Sequence, residues 1–358
     1  MSIKKYTTDG KVQHYTVTED DINTRLGKII GDKFVDYRSQ WDKVNKFSLI
    51  TDFPLYIQFD TTQKCNFKCP HCLITDDYNL DKLFSKETIS DEGFERIIDE
   101  ASEHQCPSIA LHGTNEPLLD KGLETKIEHL FKRGFIDIMI NTNASALTES
   151  RIKKLLDSGL TRIRFSIDAA TEKTFNKIRV GGNYKKVVKN IEMFVELKEK
   201  GGYKLPVTGV SFCKQKANEH EDRAFIEKWK DIVDHISIQR YIPATSDQKY
   251  KEFYPTDKVY HEEFNEFRCP QPFQRLVFRN QDITPCCAWY SRELSLGNVN
   301  QTTSYQAWNS DLMRSIREIH RKGEWYKNDV CRKCVELNYP ASKKFLIQNK
   351  LNLEIENV

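Results

Sequence analysis

Residues 55–72 read Leu55-Tyr56-Ile57-Gln58-Phe59-Asp60-Thr61-Thr62-Gln63-Lys64-Cys65-Asn66-Phe67-Lys68-Cys69-Pro70-His71-Cys72. The first five are β-rich and hold no Gly or Pro, which predicts a strand. That strand runs straight into three cysteines at C-x3-C-x2-C spacing. A short loop can bring three such thiolates onto three corners of a [4Fe–4S] cube, for which Cys is the usual ligand. Three ligands for four irons leave one iron open, which a catalytic metal site needs and a structural one avoids. A zinc knuckle or redox thiols would use the same residue type, but zinc sites usually show paired C-x2-C or Cys/His units.

Outward from this loop, strand-like and helix-like stretches alternate. Strands are expected over 108–111, 136–140, 162–167, 207–212 and 236–241. Between them lie a helix capped by Ser90-Asp91, with Phe94, Ile97 and Ile98 at helical spacing, and helices over 123–133, 149–157, 184–200 and 222–233. Six strands separated by helices argue for parallel βαβ units. Two more units would be needed for a closed eight-fold barrel. The expected fold class is therefore α/β: a partial (β/α)6 barrel with its site at the carboxyl ends of the strands.

The chain has 358 residues, 39% hydrophobic and 30% charged, with net charge +3. At roughly 150 residues per domain this predicts two domains. The near-neutral, interspersed charge gives no electrostatic case for nucleic acid as a partner. No apolar run approaches the ~20 residues of a membrane span, and the first ten residues lack the apolar stretch of a signal peptide. Ten cysteines in a chain of this kind read as metal ligands or catalytic thiols in a reducing, cytoplasmic setting. The expected layout is an N-terminal extension over 1–50, a barrel over 51–243, a linker over 244–262, a second cysteine region over 263–345 and a tail over 346–358. Tyr37, Trp41 and Phe47 predict a helical cover for 1–50.

The cysteine loop resembles the signature of the radical S-adenosylmethionine (SAM) enzymes, and the barrel is the fold that resemblance implies. In that family the open iron binds the amino and carboxylate groups of SAM. An electron from the cluster then cleaves the sulfonium to a 5′-deoxyadenosyl radical. The resemblance implies cluster ligands Cys65, Cys69 and Cys72, a reductant such as flavodoxin or ferredoxin, and a small-molecule substrate. His71 stands where the family often has an aromatic residue near the adenine. His112-Gly113-Thr114-Asn115-Glu116-Pro117 resembles the Gly-Gly-Glu-Pro turn that faces the SAM amino group, with Asn115 where Gly is usual. Asn tolerates unusual dihedrals, so the turn can survive. Asn143 at the third strand end, then Ser166 and Asp168 in Arg164-Phe165-Ser166-Ile167-Asp168, resemble polar contacts to SAM ribose or carboxylate. Arg179 offers a guanidinium fork that could pair with the SAM carboxylate.

The C-terminal region, from Cys269 through Cys286-Cys287, Leu296-Gly297-Asn298, Trp308-Asn309 and Cys331-Arg332-Lys333-Cys334, resembles the SPASM/Twitch extensions of the same family. Gln281 stands where those extensions usually have a turn Gly. Cys269, Cys286, Cys331 and Cys334 suffice to ligate a second [4Fe–4S] cluster, and a zinc site would use the same thiolates. Cys286 and Cys287 are adjacent, so one ligates; the position after Pro285 favours Cys286. A fully ligated cluster is suited to passing electrons. Cys213 ends the fifth strand, and its S–H could donate a hydrogen atom to a substrate radical. Free thiols are also often buried and inert, as expected for Cys106.

The resemblance implies a radical SAM oxidoreductase. The favoured reaction is oxidation of a sugar-like alcohol or sugar nucleotide, with the second cluster accepting an electron. Epimerisation using Cys213 is the alternative. Peptide-modifying members carry a recognition domain, for which 1–50 reads as short and without a β-rich pattern. A metal-stabilised binding module is the non-enzyme alternative, disfavoured by the polar strand-end residues.

Overall fold

The computed structural model describes residues 4–8, 12–16, 20–75, 88–242, 248–256 and 267–338. The expected tail at 346–358, and 244–247 and 257–262 of the expected linker, lie outside these residues. Two short strands, β1 (Lys4–Thr8) and β2 (Val12–Thr16), come first. Six barrel strands follow: β3 (Tyr56–Phe59), β4 (Ser108–Ala110), β5 (Asp137–Thr142), β6 (Arg162–Ser166), β7 (Val207–Lys214) and β8 (His235–Arg240). They lie side by side in chain order and pair parallel throughout. Helices Asp91–Glu103, Leu123–Lys132, Glu149–Asp157, Tyr184–Lys200 and Asp222–Trp229 alternate with them. The expected α/β fold, six parallel strands with crossover helices, is the one observed.

Alternation along each strand separates two faces. Along β6, Ile163 and Phe165 are buried in a core shared with helix residues such as Leu155, Ile191 and Phe194. Arg162, Arg164 and Ser166 take the other face and are half-buried. Register places Asn141 beside Arg164, and Ser211 beside Ser166. The helix starts are fixed by side-chain caps: Ser90, Thr148, Thr171 and Asn183 each accept a first-turn N–H. Such caps are worth about 1 kcal/mol each.

Residues 1–50 depart from expectation. Helices Ile22–Ile30 and Asp32–Asn45 form the cover, with Leu26, Phe34, Tyr37 and Val44 packed against Leu55, Val207 and Phe273. Before them, β1 and β2 pair antiparallel, and β2 pairs antiparallel with β8. The pattern was weakly legible. Lys4-Lys5-Tyr6-Thr7-Thr8 and Val12-Gln13-His14-Tyr15-Thr16 are Thr/Tyr-rich, with Asp9-Gly10, a hairpin dipeptide, between them in the sequence. Low apolar content hid it, because this hairpin joins by backbone pairing to a sheet edge. The lack of a β-rich pattern counted against a peptide substrate is therefore corrected.

The barrel and the second cysteine region are joined by strand pairing. The strand β9 (Arg275–Arg279) pairs parallel with β3, and β10 (Asp282–Thr284) and β11 (Gly297–Asn298) continue the sheet antiparallel. The second cysteine region thus extends the same sheet, eleven-stranded among the described residues. At the β9–β10 turn, Asn280 takes the left-handed φ of 55°. The Gly usual at position 281 is dispensable because its neighbour Asn280, a residue type tolerant of that region, supplies the bend. Within the expected linker, Gln248–Phe253 forms a short helix whose Tyr250 is buried against Leu73. That segment is packed, because aromatic residues at 250 and 253 reach the cysteine loop.

Candidate active site and metal loops

The loop after β3 carries Cys65, Cys69 and Cys72 at the carboxyl end of the sheet, where parallel architectures place their sites. Burial first, then the neighbouring Cys69 and Cys65 thiols, pushes Cys72 up to about 12. Burial also raises Cys65 and Cys69, and Cys69 acts on Cys65. The loop is tied down from three sides. Lys68 N–H donates to Val180 O at 2.7 Å and Glu116 N–H donates to Lys64 O at 2.9 Å. Asn143 Nδ2 donates to Asn66 Oδ1 at 2.9 Å, and Asn66 Nδ2 donates to Ser145 Oγ at 2.8 Å. Among the described residues no three His, Cys, Asp or Glu side chains form a group fit for one metal ion. The three loop thiols lie near enough to act on one another; a four-iron cube takes one thiolate at each ligated corner.

Arg179 lies beside this loop. Its Nη2 is 2.5 Å from Asp168 Oδ2, and its Nη1 is 3.9 Å from Cys69 Sγ. Burial opposes the guanidinium charge, but Asp168 and Cys69 outweigh it and hold Arg179 protonated. Asp168 has left-handed backbone, φ 60°, and its Oδ1 accepts Cys213 N–H at 2.8 Å. Asn218 Nδ2 fixes this corner by donating to Asp168 O and Cys213 O. The Arg179 fork, expected to be free for a SAM carboxylate, is thus partly engaged by Asp168. Its Nε remains buried without a hydrogen-bond partner. Cys213 sits where expected, and burial, with Asp168 next, raises its thiol far above the usual value.

His71 packs edge-on against Tyr241 and Phe253, with ring centroids 6.0 and 6.2 Å away. Burial, then Arg179, pushes it down to about 4, so it is neutral. Gln215 Nε2 is 3.4 Å from His71 Nδ1, while Gln215 Oε1 is buried without a partner. Gln215 was missed in the sequence because it follows β7 in an ordinary polar run.

The turn after β4 is built differently from expectation. A Cβ at Gly113 would collide with the Asp60 carboxylate, so only glycine fits. Asn115 does not adopt left-handed backbone. Its Oδ1 accepts Gly113 N–H at 2.9 Å and its Nδ2 donates to Thr61 Oγ1 at 3.0 Å, which shapes the turn by side-chain bonds. Glu116 is 2% exposed. Its Oε1 accepts from Leu118 N–H and Thr142 Oγ1, and its Oε2 accepts Asn143 N–H at 2.7 Å. The carboxylate of Glu116 and the amide of Asn143 therefore brace the loops. Ser166 Oγ accepts from Ser211 Oγ at 3.5 Å on the inward face.

The second set of thiols also comes together. Burial, then Cys269, Cys287 and Cys334, raises Cys286 well above the usual value. Burial, then Cys269 and Cys334, raises Cys331. Cys331 and Cys334 lie one turn apart on the helix Asp329–Asn338. Cys269 N–H donates to Nδ1 of the buried His320 at 3.3 Å. Asn328 Oδ1 accepts Cys331 N–H at 3.0 Å. Cys287 N–H is held by Gln271 Oε1 at 2.9 Å, and Cys287 acts on the Tyr56 phenol. Trp308 Nε1 donates to Thr51 O at 2.7 Å, anchoring this region just before β3. Cys106 is buried, its Sγ 3.6 Å from Ser108 O. The residues fit the groups expected of them: clustered thiols in two places, and unspent buried polar atoms on Arg179 and Gln215 beside the first.

Comparison with known proteins agrees with this geometry. The model of the radical SAM superfamily matches residues 59–210, and that of the SPASM iron–sulfur cluster-binding domain matches 269–335, together more than half of the chain. A GTP 3',8-cyclase of Desulforamulus reducens is 28% identical over 188 residues, spanning 52% of this chain and 55% of that relative. A GTP 3',8-cyclase of Aliarcobacter butzleri is 24% identical over 76% of this chain and 92% of its own. The chain thus spans little more than half of the first relative. Among solved structures, Streptococcus suis SuiB bound to precursor peptide SuiA has TM-score 0.57 at 17% identity, over 80% of this chain and 70% of that one. Native anSMEcpe with bound AdoMet has TM-score 0.56 at 17% identity, over 84% and 100%. These structures share the fold. No described helix is long and apolar enough to cross a membrane. With the thiol loop, the parallel sheet and both matched regions in place, the chain belongs to the radical SAM superfamily, carries a SPASM iron–sulfur region, and uses [4Fe–4S] clusters and SAM.

Proposed function

We propose that this enzyme removes a hydrogen atom from a small, sugar-containing substrate held against the sheet, and that a cluster held by Cys269, Cys286, Cys331 and Cys334 would accept the electron of an oxidation whose proton passes to solvent. SAM, bound at the cluster held by Cys65, Cys69 and Cys72, supplies the 5′-deoxyadenosyl radical. The observation that carries the reading is the adjacency of β3 and β9, which hangs both thiol groups on neighbouring strands of one sheet. Arg179 and Gln215 offer buried polar atoms to the SAM zwitterion, and His71 with Tyr241 forms an aromatic wall suited to a base. The relatives named GTP 3',8-cyclase support a nucleotide, itself ribose-bearing, as the substrate class over a free sugar-like alcohol.

The test is 5′-deoxyadenosine formation by anaerobically reconstituted protein given SAM and dithionite, compared with the Cys65/Cys69/Cys72→Ala triple variant. Formation by wild type alone is the expected result. A fully iron-loaded wild type that forms none overturns the reading.

A second reading is favoured by Cys213. Burial keeps this thiol protonated at a strand end beside Asp168 and Cys72, as a hydrogen-atom donor must be. An epimerase working this way would leave a thiyl radical on Cys213, to be restored by one electron from the external reductant and a solvent proton; it would incorporate one solvent deuterium into product, and Cys213→Ala would abolish that incorporation while SAM cleavage persists.

A further inference from the structure

Besides the β3–β9 pair, a chain of side-chain contacts joins the two thiol sets. It starts at the helix Asp329–Asn338, which carries Cys331 and Cys334. The last four carbonyls of a helix have no partner within it. One of them, Leu337 O, lies a single turn past Cys334 and accepts the Tyr254 hydroxyl at 3.3 Å. The half-buried Tyr254 ring lies 6.3 Å from that of Tyr241, centroid to centroid. Tyr241 is buried and directly follows β8. Its hydroxyl donates to His71 O at 3.3 Å, and its ring meets the His71 ring edge-on. His71 immediately precedes Cys72. Every link is a hydrogen bond or an aromatic contact.

The stretch that supplies Tyr254 is itself held from several sides. Thr256 donates both its N–H and its hydroxyl to the Glu219 carboxylate at 2.6 Å, and Lys216 N–H donates to Phe253 O at 3.1 Å. Phe253 packs on His71 and on Tyr241, and the buried Tyr250 packs on Leu73, the residue after Cys72. Residues 248–256 are therefore anchored to the segment after β7 and to the cysteine loop, and the Tyr254 hydroxyl reaches across to the second thiol helix. Coupling between sites is carried by contiguous packed side chains and hydrogen bonds of this kind. A hydrogen bond is directional, so a shift of the helix end makes or breaks it.

We propose that Tyr254 and Tyr241 are positioning residues that make SAM binding at the first thiol set depend on occupancy of the second. When Cys331 and Cys334 are engaged as ligands, the helix end is fixed, Tyr254 keeps its bond, and Tyr241 supports His71 and the backbone beside Cys72. When they are not, the helix end is freed and that support is lost. The radical-forming site thus reaches full SAM affinity only when the second site is loaded. This guards against making a radical with no electron acceptor in place. The guarding role rests on the electron-accepting cluster proposed above; the coupling itself does not.

The test is a double-mutant cycle read as SAM affinity, by calorimetric titration of the anaerobically reconstituted full chain without substrate. Tyr254→Phe keeps the ring and removes the hydroxyl; Cys331/Cys334→Ala empties the second site. Tyr254→Phe should retain about eight irons per chain, as two four-iron clusters require, and weaken SAM roughly fivefold, the worth of one net hydrogen bond. Cys331/Cys334→Ala should weaken SAM by a similar factor on its own and no further when combined with Tyr254→Phe. Tyr241→Phe should behave like Tyr254→Phe, and Tyr203→Phe, which loses a bond to Asp157, like wild type. Iron content and far-ultraviolet circular dichroism report folding. If Cys331/Cys334→Ala does not fold, Tyr254→Phe and Tyr241→Phe decide, since both keep every cysteine. No substrate enters these titrations, so failure of the oxidation reading leaves them intact. Wild-type SAM affinity in folded Tyr254→Phe, losses that multiply in the combined variant, or eight irons retained by Cys331/Cys334→Ala overturns the coupling.

Discussion

Arg179 and Asp168 form an ion pair at 2.5 Å, buried at the strand ends beside the Cys69 sulfur. The pair couples the loop after β6 to the cysteine loop after β3. Removing one partner of a buried pair leaves an uncompensated charge. Asp168→Asn should therefore lower stability by about 3 kcal/mol and reduce SAM cleavage at least tenfold at full iron content. Denaturant titration and 5′-deoxyadenosine yield, both normalised to iron, check it. Unchanged cleavage would show that Arg179 works without Asp168.

Glu116 bridges the turn after β4 and the loop after β5, accepting Asn143 N–H at 2.7 Å and Thr142 Oγ1 at 2.5 Å. Glu116→Gln keeps the shape but replaces one acceptor oxygen with a donor. A loss of about 2 kcal/mol in stability is expected, together with faster iron loss to a chelator, because Asn143 holds Asn66 inside the cysteine loop. An undisturbed chelation rate would separate Glu116 from the cluster loop.

Asp234 receives Lys198 Nζ at 2.8 Å, Arg25 Nη1 at 2.6 Å and Thr208 N–H at 2.7 Å. Burial pushes its carboxyl up, but Lys198, Thr208 and Arg25 outweigh it and hold it below the ordinary value. A carboxyl lowered on folding contributes stability above its unfolded pKa of about 4, and that contribution fades as pH falls through the lower folded value. Wild type should keep this increment from pH 7 down to about 4 and lose it below that, whereas Asp234→Asn should be less stable at pH 7 and flatter in the acid range. Urea titrations at pH 7, about 4 and about 3 measure it; parallel curves for the two proteins across the acid range would count against the coupling.

Cys286, with Cys269, Cys331 and Cys334, forms the second thiol group. Cys334→Ala should reduce iron from about eight to about four per chain, as two four-iron clusters require. Cys287→Ala should leave iron near eight. Loss of four irons in Cys287→Ala instead would exchange the roles of the adjacent cysteines.

The barrel was legible because its strands are short, β-rich and followed by capped helices; the helix over 184–200 begins at Tyr184 and ends at Lys200 as expected. The cysteines were legible because spacing is a local property. The bracing bonds of Glu116 to Thr142 and Asn143 were not, since they join residues of separate loops. Arg164 and Arg162 illustrate the same limit. Alternation along Arg162-Ile163-Arg164-Phe165-Ser166 puts both arginines on one face, but only the fold shows that Asp137 neutralises one of them. Pairing of β9 with β3 was hidden because it joins residues far apart in sequence.

That same pairing governs how the chain is born. β3 pairs β4 on one side and β9 on the other, so the β9-facing edge waits for more than 200 residues of further synthesis. At 5–20 residues per second the wait is roughly 10–40 s. During it the nascent chain presents an open hydrogen-bonding edge on Tyr56–Phe59, the kind that invites strand addition from other chains. Efficient production therefore depends on shielding that edge during translation, and slow synthesis upstream of Arg275 should raise aggregation.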